Sequence, residues 1–256
     1  MRFQSVLFIA TVAAVAANAS VYEAKYPGYT GGSYGISNGG GEIKSVLTQY
    51  ASVGKVLYFE TKLGNVPGTS QKSDAFTLAI SKGPNPKGTP DELALFYFDG
   101  TNLNAPKLTV YAYNGQNSAS SYRDGNGDGV NDGGDLVASS LVDSSFIKDI
   151  FIRNEGGDRV MGFKLDVNGI NAHVPAFGNP AEWEGAQFAN KFGIWFHPRA
   201  GTTAAYNSQG KLTNFSSACE GWLDGSNITT QVVPEPVSAA VLAVGGALLV
   251  LRRRAR

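Results

Sequence analysis

The feature that most constrains this chain is a series of short segments in which the side chains alternate every second residue, each separated from the next by turn-forming residues. Leu57, Phe59, Thr61 and Leu63 fall on one side of such a segment and Tyr58, Glu60 and Lys62 on the other. A period of two is that of a half-buried β-strand, because successive side chains of an extended backbone point to opposite faces. Phe76, Leu78 and Ile80 repeat it. So do Leu93, Leu95 and Tyr97 against Ala94, Phe96 and Phe98, and Leu108, Val110 and Ala112 against Thr109, Tyr111 and Tyr113. In the second half Ile150, Phe151 and Ile152 form a short apolar run, and Met161, Phe163, Leu165 and Val167 alternate with Gly162, Lys164 and Asp166. A last strand reads Phe192 to His197 and is expected to close at Pro198. Turn chemistry at Gly83 to Gly88 and at Asp99-Gly100 leaves no room for crossover helices, so the connections are expected to be antiparallel. Only Glu42 to Ala51 and Ser139 to Ile147 are expected to carry a helical turn or two. The fold class that follows is all-β, an antiparallel β-sandwich of jelly-roll or concanavalin-like type.

Both ends of the chain read as addresses rather than as fold. Arg2 supplies a positive start, Val6 to Ala17 an apolar stretch too short to span, and Ala17-Asn18-Ala19 a small-residue cleavage site. Residues 1–19 are therefore expected to be a signal peptide, removed between Ala19 and Ser20 by signal peptidase. At the other end Val233-Pro234-Glu235-Pro236 precedes an uninterrupted small-apolar run, residues 237–251, and then Arg252, Arg253, Arg254 and Arg256. The prolines stiffen an extended segment, the apolar run suits a short stay in the bilayer, and arginines remain on the cytoplasmic side. An ordinary retained anchor is the plainer reading of the same residues. The three parts in this order resemble the PEP-CTERM sorting signal of Gram-negative bacteria. That resemblance covers residues 233–256 and implies cutting near the motif by an exosortase-type enzyme. The protein would pass through an inner-membrane intermediate on its way to the cell surface or extracellular matrix. It also implies an association with exopolysaccharide and biofilm matrix.

Between these ends lie a Gly/Tyr-rich segment (residues 20–41, with Tyr22, Tyr26, Tyr29 and Tyr34), a sandwich domain (42–223) and a linker (224–232). The segment 20–41 is expected to be an irregular first strand pinned by its tyrosines. Losing Arg2 and four tail arginines leaves 16 of the 21 basic residues against 20 or 21 acidic ones, so the exported domain is mildly acidic. It offers no basic stripe to phosphates, and nucleic acid is excluded as a partner. Cys219 is the sole cysteine, so no internal disulfide forms, and the residue is expected to be a buried apolar thiol.

One loop carries recognisable chemistry. Residues 124–135 place Asp124, Asn126, Asp128, Asp132 and Asp135 at loop positions 1, 3, 5, 9 and 12, with Gly129 at 6 and the Val130 carbonyl at 7. Ca²⁺ takes six to eight hard oxygens, alternate residues of a tight loop point inward, and glycine permits the sharp bend at position 6. The loop resembles dockerin-type and other extracellular calcium loops, in which aspartate often replaces the bidentate glutamate at position 12. No entering helix precedes Arg123, whereas a short exiting helix from Leu136 is expected. The site is read as structural. An Asp-Asn-Gly-rich hairpin whose side chains bond their own backbone is the bland alternative.

Catalysis is not expected. Glu182-Trp183-Glu184 combines two carboxylates with an aromatic, the parts of a glycoside hydrolase, but alternation puts Trp183 opposite both carboxylates. His173 and His197 lack identifiable carboxylate partners in the sequence. The chain is read as a structural surface or matrix protein. A calcium-dependent carbohydrate-binding module is the alternative, with Tyr111, Tyr113 and Trp183 as the candidate sugar contacts and extracellular polysaccharide as the ligand.

Overall fold

The computed structural model describes residues 20–27, 36–81, 92–111, 136–172, 193–224 and 231–234. Among them, every strand pairing is antiparallel and the strands form two sheets. The first sheet has the order β14 (Gln231–Pro234), β1 (Ser20–Pro27), β3 (Ile43–Ala51), β4 (Val56–Leu63), β10 (Asp158–Asp166), β9 (Ile147–Glu155). The second runs β2 (Ile36–Ser37), β13 (Trp222–Asp224), β11 (Gly193–Tyr206), β5 (Ala75–Ser81), β6 (Glu92–Asp99), β7 (Lys107–Tyr111), β8 (Leu136–Ser139), and β12 (Leu212–Glu220) also pairs with β11. The segment before residue 42 thus contributes β1 to one sheet and β2 to the other. The residues set apart as a linker include the end of β13 and the start of β14.

The alternating side chains meet between the sheets as the sequence leads one to expect. Phe59 and Phe163 of the first sheet interlock with Phe76, Phe96 and Phe196 of the second, all fully buried. Phe59 lies 5.2 Å from Phe76, 5.5 Å from Phe196 and 5.6 Å from Phe163 between ring centroids, and Phe76 stacks on Phe98 at 4.6 Å. These offset and tilted contacts are the favoured aromatic geometries and add to the burial of large rings.

Several local expectations are corrected. Residues 43–51 are strand, not helix: β3 pairs with both β1 and β4 and carries a register shift between Ile43 and Ser45. Between β8 and β9 the Asp143 amide on the Ser139 carbonyl at 3.0 Å closes a single helical turn, as expected, which does not continue into a helix. Leu136 opens a strand rather than an exiting helix, because Val137 and Ala138 are buried and the segment pairs with β7. Val167, expected at the end of a strand, begins α1 (Val167–Asn171), where Asp166 caps the first turn by accepting from the Asn168 and Gly169 amides. Pro198 does not close the last strand. It pairs with Phe76 in mid-sheet, and its carbonyl accepts from the Gly221 amide. Having no N–H to return that bond, it leaves the partner strand interrupted at Gly221, which separates β12 from β13.

Beyond Pro198, β11 outruns β5 and turns at Gly201, whose φ of +65° is a left-handed conformation that glycine adopts without strain. From there β11 and β12 form an arm that lies over the outer face of the second sheet. Tyr97, Tyr111, Leu95, Ala75 and Ala79 of the sheet form a second buried cluster with Leu212 and Phe215 of the arm. Hydrogen bonds fasten it: the Leu212 amide to the Tyr111 hydroxyl (2.9 Å), Ser139 Oγ to the Gly210 carbonyl (2.7 Å), the Tyr206 hydroxyl to Asp99 Oδ2 (2.9 Å), and the Thr202 amide to Asp74 Oδ2 (3.1 Å).

Candidate functional site

The outer face of the first sheet is built by the side chains that alternate away from the core, and their neighbours follow from the register. Tyr58 pairs with Gln49 of β3 and Lys164 of β10, and Lys164 in turn with Asp149 of β9. One row along, Glu60 pairs with Leu47 and Gly162, and Gly162 with Phe151. Gly162 presents no side chain on this face, and the half-buried Phe151 ring lies against it from the neighbouring strand, with the half-buried Tyr58 ring one row away. A Cβ at Gly162 would overlap the Phe59 carbonyl oxygen and come within 2.7 Å of Phe151 Cζ. The Tyr58 and Phe151 centroids are 6.4 Å apart at a tilt of 31°.

Polar groups fix these rings. The Tyr58 hydroxyl donates to Glu60 Oε2 at 2.7 Å, and Arg153 Nη2 lies 3.5 Å from the same oxygen while its guanidinium stands 4.8 Å from the Phe151 centroid. Burial, and then the Glu60 carboxylate, raise the Tyr58 hydroxyl above the ordinary phenol range, so it stays a neutral donor. Such a face can hold a ligand that offers both an apolar surface and hydroxyls.

The second sheet holds the other concentration of chemistry. His197 Nδ1 is 2.6 Å from Glu220 Oε1, and Arg199 Nη2 is 3.0 Å from the same oxygen. Arg199 is itself buried and also donates to Ser217 Oγ (3.1 Å) and Thr77 Oγ1 (3.4 Å). Its guanidinium is 5.5 Å from the Phe215 centroid. The hydrogen bond from His197, helped by Arg199, holds the Glu220 carboxyl below its ordinary range. Trp195 meets the His197 ring edge-on at 4.5 Å, and His197 Nε2 is enclosed without a hydrogen-bond partner. A carboxylate on Nδ1 leaves Nε2 as a base or metal ligand. No nucleophile adjoins it in the described contacts. Among the described residues no group of three histidine, cysteine, aspartate or glutamate side chains is placed to hold a metal. The trio joins β11 to β12 where the arm begins, which is a structural use of charge. The pairing of His197 with Glu220 was missed in the sequence because the two lie on different strands.

The residues singled out in the sequence fall as follows. Tyr111 is fully buried in the second cluster and accepts from the Leu212 amide, so it is corrected: it contacts the arm and offers no face to a sugar. Tyr113 and Trp183, the glutamates 182 and 184, His173 and the whole loop from Asp124 through Asn126, Asp128, Val130 and Asp132 to Asp135 lie outside the described residues. The same holds for Ala19, Glu235, Pro236 and the arginines 252–254. Ser20 begins β1, and Val233 and Pro234 end β14. Cys219 is partly buried, 3.9 Å from Gln71 Oε1. No helix among the described residues is long and apolar enough to cross a membrane, and residues 237–251 are not among them. No family model, no curated protein and no solved structure matches the chain.

Proposed function

We propose that the protein is an exported structural component of the cell surface or extracellular matrix, delivered by signal-peptidase cleavage before Ser20 and cut by an exosortase-type enzyme at Val233-Pro234-Glu235-Pro236. The observation that carries this reading is the pairing of the two ends of the fold: Ser20 stands opposite Pro234 and Val21 opposite Val233. Both expected processing points therefore lie at the same end of two adjacent strands. A domain built so can lose a leader before β1 and a tail after β14 without losing a strand, and a cut within or just after Glu235-Pro236 leaves β14 whole. On this reading the apolar run and its arginines serve a membrane intermediate only. The sandwich is of jelly-roll or concanavalin-like type, a reading supported by the antiparallel pairing of the described strands and their crossovers between sheets.

The loop 124–135 is read as a structural calcium site. β7 ends at Tyr111 and β8 begins at Leu136, and these two residues pair, so a cation bound in the chain between them would fasten two paired strands rather than move two helices apart. Ligand that binds only the folded state stabilises it by mass action. The melting temperature is expected to rise with calcium relative to chelator, and Asp128→Ala to abolish the rise; identical curves for the wild type would remove the site.

The delivery reading is tested by mass spectrometry of the protein recovered from the surface and medium of its native host. A start at Ser20 and an end near Pro236 are expected. An intact Arg256 would make it an anchored membrane protein instead.

A further inference from the structure

We propose that the outer face of the first sheet, centred on Tyr58 and Phe151, binds a neutral polysaccharide; the proposal rests on the surface-and-matrix reading and names its ligand class. Sugars present axial C–H groups on a ring face and hydroxyls around the rim, so a surface that holds them needs aromatic faces with hydrogen-bonding groups of both kinds beside them. Tyr58 and Phe151 approach within 6.4 Å across an intervening strand, where Gly162, the partner of Phe151, leaves room for its ring. Their orientation is set before any ligand arrives, Tyr58 by its 2.7 Å bond to Glu60 and Phe151 by the Arg153 guanidinium at 4.8 Å, which lowers the ordering cost of binding.

The charges around the rings decide the ligand class. Glu60 and Asp149 are acidic, Arg153 and Lys164 basic, and they interleave across the strands, so no net field selects a polyanion. Arg153 and Lys164 are donors and the carboxylates acceptors, which together match hydroxyl groups. Neighbouring strands stand about 4.8 Å apart, close to the length of one pyranose residue, so a glycan crossing the sheet meets a new strand with each sugar.

Rings placed only to cover a glycine would be replaceable by any apolar group of similar size. The test uses that difference. Protein recovered from the native host is run by affinity electrophoresis in gels containing hydroxyethylcellulose, dextran, the host's own purified exopolysaccharide, or alginate as the anionic control. At least one neutral polysaccharide is expected to retard it. Phe151→Leu, which keeps apolar cover over Gly162 without a ring face, and Tyr58→Ala are each expected to weaken retention on the order of tenfold. Phe151→Leu is expected to melt close to the wild type, which keeps loss of binding apart from loss of fold. Retardation by alginate alone, no retardation in any gel, or full retention by both variants would overturn the proposal. Correctly processed termini on a protein that no gel retards would overturn this site and leave the delivery reading standing. An intact Arg256 would overturn the delivery reading whatever the gels show.

Discussion

The two sheets share one core, yet their outer faces have opposite fates. On the second sheet Tyr97, Tyr111 and Leu95 face away from the main core and are nonetheless buried, because the β11–β12 arm folds back over them. On the first sheet Tyr58, Glu60, Lys62, Phe151 and Arg153 stay half-buried or exposed. An antiparallel sheet normally solvates one face, and strands apolar on both faces require a second cover. The difference lies in the sequence of the strands. β4 alternates cleanly, and β9 carries Asp149 and Arg153 on its outer side with Phe151 the one apolar residue between them, whereas β6 puts Leu95 and Tyr97 opposite Ala94, Phe96 and Phe98. The arm is the consequence, and among the described residues it leaves the outer face of the first sheet the more exposed of the two.

The sharpest way to break that contrast is to truncate one tyrosine on each face. Tyr97 is 1% exposed and packs edge-on against Phe215 at 5.1 Å and Tyr111 at 5.4 Å. Tyr97→Ala is expected to cost about 3–5 kcal/mol in urea unfolding, the range for emptying a packed aromatic site. Tyr58→Ala, on a half-solvated ring, is expected to cost on the order of 1 kcal/mol. Equal costs would mean that the two outer faces are alike and that the arm is not a second core.

Next in size is the charge beneath the arm. Glu220→Gln leaves the buried Arg199 with Ser217 and Thr77 but without its carboxylate, and is expected to cost about 1–3 kcal/mol, towards the lower end because Glu220 is itself partly solvated. The pH dependence has a definite sign. Glu220 has a folded pKa below its unfolded value of 4.5. Its contribution is thus fully present above pH 4.5 and is lost as pH falls through the lower, folded value. Acid unfolding curves of wild type and Glu220→Gln are therefore expected to converge as pH drops below that window. A gap that stays constant would show that the carboxylate charge is not what holds the arm.

How much of this was legible depends on whether a feature is local. The strands through Leu57 to Leu63, Phe76 to Ile80 and Met161 to Leu165 were readable because a period of two needs only neighbouring residues. The strand at residues 43–51 was not. The bulge between Ile43 and Ser45 shifts its phase, so that Lys44 and Ser45 are both exposed, and Ile43, Val46, Leu47 and Tyr50 then fall at helical spacing by coincidence. Pro198 misled for the opposite reason, since its missing N–H points at a strand boundary that only the sheet order reveals. The surface around Gly162 draws Tyr58 and Phe151 from β4 and β9 with β10 between them. No local pattern brings such residues together; register does. The calcium-type loop and most of the sorting motif are read from spacing alone and lie outside the described residues.

The smallest expected effect sharpens the comparison from the open side. Lys62 lies 3.3 Å from Glu155 Oε2 and 3.7 Å from Asp158 Oδ2, on a face where its own side chain is 35% exposed and that of Glu155 52%. Water screens such pairs and the lysine must surrender rotamer freedom to keep them, so Lys62→Ala is expected to change stability by no more than about 0.5 kcal/mol. The residual effect should vanish in high salt, because the Debye length there shrinks to a few ångströms. Set beside Glu220→Gln, this asks whether an ion pair on the first sheet is surface decoration while one on the second is a fastening. A loss for Lys62→Ala as large as that for Glu220→Gln, and persisting in salt, would mean that the first sheet's outer face is covered as firmly as the second, and no open face would remain for a glycan to meet.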